Sequence, residues 1–491
     1  MPRAKAIMVQ GTGSHVGKSV LATALCRIFR QDGYRVAPFK SQNMANNAAV
    51  CACGGEIGRA QAEQAAACDI EPLTAMNPIL LKPSSDTGSQ VVVMGRAVGT
   101  MTAKQYQGYK LSLLPVVEQA LQQVMADNDI VVIEGAGSPA EINLKAHDIV
   151  NMRTAALADS PVILVGDIDK GGVFAQLLGT FELLDPDERA RVRGLLINKF
   201  RGDLDILAPG LAFIEQRLAR RVLGVIPYLH DLRIAEEDTL REEPGRRRDR
   251  RRGVRIDVIC HARMANFTDF DALGDAVRYV DKPPADMPDA VILPGTKSTA
   301  ADLQLLRERG FDRWLHAARG AGVEIVGICG GFQMLGRAVL DPDHVESAAD
   351  QVLGLGLLEC STVFNRTKET ARVRGVHLAS GATVQGYEIH MGCTQGPEGA
   401  LPLFRIHDRH GLPADGYDGV AAPDGRVWGT YLHGLFDNEA FRRWWLARLR
   451  PDLKPPEAEP PAAANGNRFD LLASAVREAI DVAELYRIVG V

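Results

Sequence analysis

Short apolar runs recur through the first half of the chain, and each is bounded by Gly, Asp or Pro. They occupy residues 6–9, 35–39, 130–133, 162–165, 195–198 and 222–226. The longer stretches between them, such as 19–31 and 111–125, carry apolar residues at helical spacing. Buried parallel strands read as continuous apolar runs and alternate with helices. The pattern therefore predicts an α/β fold with a doubly wound parallel sheet over residues 1–240.

A second series of the same kind begins at residue 254. Its apolar runs are residues 255–260, 290–293 and 323–328, and a more β-rich stretch follows over 362–433. This series predicts a second α/β domain over residues 254–445. Residues 446–491 form a C-terminal segment with a Pro/Ala-rich stretch at 452–466 and an amphipathic helix near 469–489. The sequence leaves open whether this helix packs on the rest of the chain.

The two series are separated by the charged run REEPGRRRDRRRG, residues 241–253. Charge runs beside Pro and Gly are typical of solvated hinges, so we interpret this run as an interdomain linker. An anion-binding patch is the alternative interpretation.

Composition excludes several classes of function. The length of 491 residues exceeds what one hydrophobic core usually supports, which agrees with two domains. The formal net charge of −5 gives no global footprint for nucleic acid or an anionic membrane. The longest apolar runs are far shorter than the roughly 20 residues of a spanning helix, and the N-terminus has no cleavable signal pattern. We therefore expect a cytoplasmic protein with small-molecule partners.

Cysteine spacing predicts reduced thiols. The eight cysteines are scattered, without the density of a secreted disulfide framework. Cys51 and Cys53 form a C-x-C pair, but no second pair or nearby histidine completes a zinc site. Cys329 is the exception, for the reasons given below.

A glycine-rich loop follows the first predicted strand and leads into a helix. Its backbone N–H groups and the helix N-terminus form a nest for phosphates, Lys18 would reach the outer phosphates, and Ser19 would ligate Mg²⁺. An ordinary glycine turn is the alternative. The sequence predicts an ATP site formed by Gly11, Thr12, Gly13, Ser14, Gly17, Lys18 and Ser19.

Acidic residues follow other predicted strands, at the edge where open parallel sheets bind ligands. Glu134, in VVIEGAGSP, is predicted to hold Mg²⁺ together with Ser19. Asp167 and Asp169, in VGDIDKGG, occupy a similar strand end. They either join this site or cap the next helix.

Cations and amides also face this edge. Lys40, Asn43 and Asn47 follow the second strand in APFKSQNMANN, and Asp148 lies in NLKAHDIVN. They suit a substrate that bears carboxylates and amides, so we expect them at the substrate and phosphoryl site.

Cys329 lies in GICGG, between a predicted strand and a helix. Small neighbours permit the strained turn of a nucleophile elbow, and the helix N-terminus lowers the thiol pKa. Gly330, and Gly295 from LPGTKST, would supply an oxyanion hole, and His433 from WGTYLHGLF would be the base. A buried structural cysteine beside a core histidine is the alternative.

These motifs resemble two known families of domains. The glycine-rich loop of residues 11–19 has Thr12 where the standard phosphate loop has its first glycine. This variant is similar to the loop of dethiobiotin synthetase-like enzymes, which phosphorylate carboxylates. The second half resembles class I glutamine amidotransferases, with one departure. Where most of them have H-x-E, this chain has His433, Gly434 and Leu435. The departure resembles the cobyrinate-amidating branch, which works with a Cys/His dyad. It leaves Glu388 or His390 as the candidate to orient the imidazole.

Taken together, the segments resemble the cobyric acid synthase family of cobalamin biosynthesis, from residue 7 to about residue 445. They are GTGSHVGKS, FKSQNMANN, EGAGSPAEINL, GDIDKGGVFA, LPGTKST, GICGGFQMLG, GYEIHMG and TYLHGLF. The resemblance implies amidation of the b, d, e and g carboxylates of adenosylcobyrinic acid a,c-diamide, with ATP, Mg²⁺ and L-glutamine and no bound prosthetic group. The residues themselves predict only that the protein acts on a carboxylate with the use of ATP and glutamine.

Three other hypotheses compete. A cobyrinic acid a,c-diamide synthase-like amidotransferase has the same parts, but FKSQNMANN and the loop at residue 11 favour the cobyric acid synthase family. A P-loop nucleotide-switch ATPase would account for residues 1–240, but not for Cys329 with Gly295 and His433. A non-catalytic scaffold would treat both sites as remnants, which the intact site residues argue against.

Overall fold

Two α/β domains make up the chain in a computed structural model that describes residues 4–85, 87–229, 253–398, 400, 402–453 and 463–491. This confirms the predicted fold class. Nearly all of the predicted linker at 241–253 and residues 454–462 of the Pro/Ala-rich stretch lie outside the described residues.

The first domain is centred on a parallel sheet of six strands, in the order β12-β11-β10-β1-β9-β2. A second sheet, in the order β3-β6-β7-β8, and the pair β4-β5 lie beside it. The strands are β1 Lys5–Gly11, β2 Val36–Phe39, β3 Gln42–Met44, β4 Ala48–Val50, β5 Glu56–Gly58, β6 Ile79–Pro83, β7 Gly88–Val93, β8 Arg96–Thr102, β9 Ile130–Glu134, β10 Val162–Asp167, β11 Val192–Phe200 and β12 Arg221–Pro227. The helices are α1 Lys18–Gln31, α2 Arg59–Ala67, α3 Ala103–Lys110, α4 Leu114–Ala126, α5 Met152–Ala158, α6 Val173–Glu182, α7 Pro186–Arg191 and α8 Leu204–Leu218.

The second domain has a largely parallel sheet, β14-β13-β15-β16-β24-β23, and a second sheet with long antiparallel strands, β18-β17-β19-β21-β22, in which β20 also pairs with β19. Its strands are β13 Ile256–Ile259, β14 Val277–Val280, β15 Ala290–Leu293, β16 Glu324–Ile328, β17 Ala338–Leu340, β18 Gln351–Leu353, β19 Ser361–His377, β20 Thr383–Gln395, β21 Phe404–Arg409, β22 Leu412–Asp418, β23 Val420–Ala421 and β24 Val427–Thr430. Its helices are α9 Thr299–Glu308, α10 Phe311–Gly320, α11 Gly330–Leu335 and α12 Glu439–Leu449, with a 3₁₀ segment at Phe267–Ala276.

The C-terminal helices pack on the first domain, a point that the sequence left open. The single predicted helix is two helices, α13 Ala463–Ala479 and α14 Val482–Val489, because the chain breaks at Asp481, whose carboxylate caps α14 through the Glu484 N–H. Apolar side chains of both helices, among them Leu472 and Leu485, complete the core on one face of the first sheet. The chain thus returns to its first domain after building the second.

The two domains meet through strands β4 and β20. A buried apolar cluster joins Ala48, Val50, Leu80 and Val92 of the first domain to Tyr387 and Ile389 of the second. Polar contacts flank it, including the bond from Arg372 Nε to the Val50 carbonyl, 2.6 Å long. In the described part of the chain, no helix has the length and apolar character needed to cross a bilayer.

Candidate active site

The loop after β1 has the geometry of a phosphate nest. Gly17 has φ 96°, and a Cβ added there would lie 2.1 Å from Nδ2 of Asn198, so only glycine fits this turn. Asn198 donates to the Val16 carbonyl at 2.8 Å and fixes the loop from the neighbouring strand β11. Helix α1 begins at once, at Lys18, so its N–H groups face the loop.

Lys18 reaches back over this loop. Its ammonium donates to the Gly13 carbonyl at 2.8 Å and to the Gly137 carbonyl at 3.1 Å. A cavity of about 380 Å³ opens beside it. The predicted residues that line this cavity are Ser14, Gly17, Lys18, Ser19, Asn43 and Asp148. Gly11, Thr12 and Gly13 precede them in the loop, and Thr12 Oγ1 lies 3.2 Å from Oε1 of Gln176.

Glu134 and Lys40 form a buried ion pair at the base of the loop. The Lys40 ammonium lies 2.9 Å from Oε1 of Glu134, and the Ser19 hydroxyl donates to the same oxygen at 2.8 Å. Gln64 donates to Oε2 at 2.6 Å. Burial raises the pKa of Glu134, but the Lys40 charge and these hydrogen bonds outweigh it and lower the pKa. The carboxylate is therefore ionised beside the Ser19 hydroxyl.

The remaining predicted residues of this edge have other contacts. Asn47 lies at the domain interface, where its Oδ1 accepts from the Phe267 N–H at 3.1 Å. Asp148 lines the cavity, but its carboxylate accepts the N–H groups of Val150, Asn151 and Arg153, so it also caps α5.

Asp167 and Asp169 take neither of the roles that we considered for them, since they do not line the cavity and α6 has Gly172 at its N-cap position with no side-chain cap. The Asp167 carboxylate accepts from the Asp169 N–H at 2.9 Å and lies 3.2 Å from the Lys199 ammonium. Asp169 pairs with Arg201 at 3.3 Å. These contacts hold the turn between β10 and α6.

Cys329 lies at a sharp turn between β16 and α11. Its φ of 50° and ψ of −109° are strained for a residue with a side chain, as in a nucleophile elbow. Burial raises the pKa of the thiol, but a hydrogen bond with His433, the charges of His433 and His390 and the Gly330 N–H together lower it. A Cβ on Gly295 would lie 3.7 Å from the Cys329 Cβ, so this turn also borders the thiol.

His433 is held by Asp269, a residue that the sequence analysis missed. Nδ1 of His433 donates to Oδ2 of Asp269 at 2.7 Å, and the Gly434 N–H donates to Oδ1 at 3.0 Å. Burial lowers the pKa of His433, but the charge and hydrogen bond of Asp269, with the contact to Cys329, raise it to about 10. The Tyr387 ring stacks on the imidazole with centroids 5.2 Å apart.

Glu388 and His390, which we predicted as candidates for this orienting role, do not fill it. Glu388 pairs with Arg409 at 2.6 Å, and His390 stacks on Tyr431 with centroids 3.8 Å apart. The position of the acid explains the error, since Asp269 lies in a 3₁₀ segment after β13, and not two residues after His433. A carboxylate between the aromatic residues of the run Phe267-Thr268-Asp269-Phe270 was the one available signal, because such an acid is rarely buried without a partner.

Asn266 joins this site to the first domain. Its Nδ2 lies 3.2 Å from Nε2 of His433, and its Oδ1 accepts from the Ala48 N–H at 3.0 Å. Asn43, at the phosphate cavity, and Ala48 are separated by a short segment that spans at most about 18 Å. One continuous piece of chain, residues 43–48, therefore runs from the phosphate cavity to the residues around His433.

Comparisons with known proteins identify both domains. Residues 7–241 match the CobQ/CobB/MinD/ParA nucleotide binding domain, and residues 255–441 match the CobB/CobQ-like glutamine amidotransferase domain. The chain is 48% identical to a cobyric acid synthase of Pelotomaculum thermopropionicum, with 99% of this chain and 97% of the relative covered. It is 49% identical to one of Moorella thermoacetica, with 99% and 98% covered. This chain therefore belongs to the cobyric acid synthase family.

Proposed function

We propose that the chain amidates the b, d, e and g carboxylates of adenosylcobyrinic acid a,c-diamide, using ATP and L-glutamine, to give adenosylcobyric acid. Membership of the cobyric acid synthase family supports this reaction. The observation that carries the proposal is a phosphate loop and a Cys329–His433–Asp269 array on one chain, linked by residues 43–48.

The first step takes place at the phosphate loop. A substrate carboxylate oxygen attacks the γ-phosphorus of ATP, the bond to the β,γ-bridging oxygen breaks, and acyl phosphate and ADP result. Lys18 and the loop N–H groups stabilise the negative charge of the transferring group. Lys110 lines the same cavity, and burial, partly opposed by the Asp148 charge, lowers its pKa. A peripheral carboxylate of the substrate bound beside it would stabilise its ammonium form.

Mg²⁺ fits beside Ser19 and Glu134. The Ser19 hydroxyl and a Glu134 oxygen lie 2.8 Å apart, close to the spacing of about 2.9 Å between adjacent oxygen ligands of octahedral Mg²⁺. These two residues would hold the ion, with phosphate oxygens and water completing its ligands. Bound there, the ion would neutralise charge on the phosphates. Lys40 would keep its position on the same carboxylate.

The second site releases ammonia. The Cys329 thiolate attacks the side-chain carbonyl carbon of glutamine, and the N–H groups near Gly295 and Gly330 stabilise the oxyanion. The His433 imidazolium gives its proton to the departing nitrogen, so that ammonia and a thioester form. A water molecule, deprotonated by His433, then hydrolyses the thioester to glutamate. Asp269 keeps the imidazole in the required tautomer throughout.

Ammonia then attacks the acyl phosphate carbon, and phosphate leaves to give the amide. In bulk water ammonia would be protonated and lose its nucleophilicity, so we include a shielded path between the sites in the proposal. The contacts of Asn266 with Ala48 and of Phe267 with Asn47 support such a path, since they join the domains beside His433.

Incubation with the a,c-diamide, glutamine and MgATP, followed by mass spectrometry, tests the proposal. We expect four successive carboxyl-to-amide conversions and one ADP for each of them. In a parallel incubation with cobyrinic acid, amidation at the a and c positions, together with no conversion of the a,c-diamide, would contradict the proposal and favour the diamide synthase. ATP hydrolysis without any amide product would favour a nucleotide switch.

A further inference from the structure

The cavity that contains the Cys329 thiol has charged groups in its wall that the proposed chemistry does not use. Cys329 and His433 share it with Lys297 and Glu346 of the second domain. Lys82 from β6 of the first domain and Lys368 from β19 also line it. A primary amide needs none of these charges for its hydrolysis, so they point to the rest of the molecule that carries the amide.

Lys82 and Lys368 already have a partner. Both pair with Glu56 of the first domain, and the Lys368 ammonium lies 2.6 Å from its Oε2. Burial raises the pKa of Glu56, but the charges of Lys368 and Lys82 lower it to about 2. Two ammonium groups therefore share one ionised carboxylate across the domain interface. This part of the cavity has a net positive charge as a result.

Lys297 and Glu346 have opposite charges but do not pair. Across the ranges that the structure describes, neither has an oppositely charged side chain within 4.0 Å. Burial lowers the pKa of Lys297 and raises that of Glu346 to about 7, so each charge is incompletely compensated by the protein. Both side chains are partly accessible and border the cavity. A ligand with a negative and a positive group would satisfy both.

The backbone around these two residues is fixed. Asp341, which is buried, accepts the N–H groups of Val345, Glu346 and Ser347 at 2.7, 2.9 and 2.7 Å. Glu346 in turn accepts from the Ala300 N–H at 3.1 Å, at the start of α9. Lys297 lies two residues after Gly295, and its N–H donates to the Arg263 carbonyl at 3.0 Å. The two charges are therefore presented on turns that also shape the nucleophile site.

We propose that Lys297 binds the α-carboxylate and Glu346 the α-ammonium group of glutamine, while its side-chain amide lies at Cys329. The site then recognises the amino-acid zwitterion. This inference rests on the proposed glutaminase function. It explains why a cavity built for a neutral amide has a lysine and a glutamate in its wall that do not form an ion pair with each other.

Steady-state kinetics of Lys297→Met and Glu346→Gln test the assignment. We expect each variant to raise the KM for glutamine by about tenfold or more, since a charge-assisted contact is lost, with little change in the rate driven by saturating ammonia. Lys297→Arg, which keeps the charge, should recover part of the loss. The exposed positions Lys104→Met and Glu308→Gln are matched controls and should leave the KM unchanged.

Substrate analogues separate zwitterion recognition from a general loss of packing. Glutaramate lacks the ammonium group, and 4-aminobutanamide lacks the carboxylate. The preference for glutamine over glutaramate should fall in Glu346→Gln, and the preference over 4-aminobutanamide should fall in Lys297→Met. Unchanged KM values in folded variants, or equal losses for glutamine and both analogues, would overturn the assignment. A wild-type enzyme without glutaminase activity would instead overturn the proposed function itself.

Discussion

Asp269 accepts a hydrogen bond of 2.7 Å from Nδ1 of His433, across 164 residues of sequence. Leu435 occupies the position where most class I amidotransferases have the orienting acid, yet the imidazole has a carboxylate partner. The partner comes from the 3₁₀ segment between β13 and β14, and Asn266, the contact to the first domain, immediately precedes that segment. Orientation of the base and contact between the domains are therefore built into one short segment.

Asp269→Asn should remove most glutamine-dependent activity. An amide can hold the wrong tautomer of His433 and cannot stabilise the imidazolium, so we expect a loss on the order of 10²- to 10⁴-fold in kcat. The rate with external ammonia should change little. Asp271→Asn, at an exposed position of the same segment, is the control. Equal losses with glutamine and with ammonia would show that Asp269 supports the fold and not the base.

The pH dependence of Cys329 alkylation should report the lowered pKa of its thiol. The pKa of Cys329 lies below its ordinary value because His433 outweighs the effect of burial. Inactivation by iodoacetamide should therefore continue at a pH where an ordinary thiol is protonated, and it should fall only as the pH drops through this lowered pKa. In His433→Gln the same profile should move to higher pH. A profile that is identical in both proteins would contradict the Cys329–His433 contact.

Glu56→Gln should destabilise the folded chain at neutral pH. The substitution leaves the buried ammonium groups of Lys82 and Lys368 without their counter-charge, at a cost of about 3–5 kcal/mol. Because the folded pKa of Glu56 is lowered to about 2, its contribution is present above the unfolded pKa and is lost as the pH falls towards 2. Thermal unfolding of the wild-type protein and of Glu56→Gln at several pH values measures the loss of stability. The difference in stability between the two proteins should shrink in acid.

Gly17→Ala should lower stability more than Gly13→Ala. Alanine at 17 must adopt φ 96° and meets Asn198, whereas a Cβ at 13 meets nothing within 4 Å. We expect a difference of at least about 1 kcal/mol in the free energy of unfolding of the first domain. Chemical denaturation of the two variants measures it, and equal stabilities would show that the loop can relax.

Local patterns were sufficient to predict the six strands of the first parallel sheet, the phosphate loop and the elbow at Cys329, but not the short strands β3 to β8 or β14. Each is a continuous stretch in which the strand, the turn and the helix start adjoin one another, as in Lys5–Gly11 followed by Lys18–Gln31. Contacts between distant segments had no such signal. Asp269 on His433, Asn47 at the domain interface and Leu472 in the core of the first domain all depend on how remote pieces pack.

Cys329→Ala gives the most direct test of two separate chemistries on one chain. The variant should lose glutamine-dependent amidation completely, because the thioester cannot form. It should retain the wild-type rate of ATP-dependent amidation when ammonia is supplied at high concentration. Loss of both activities in a variant that remains folded would contradict the account.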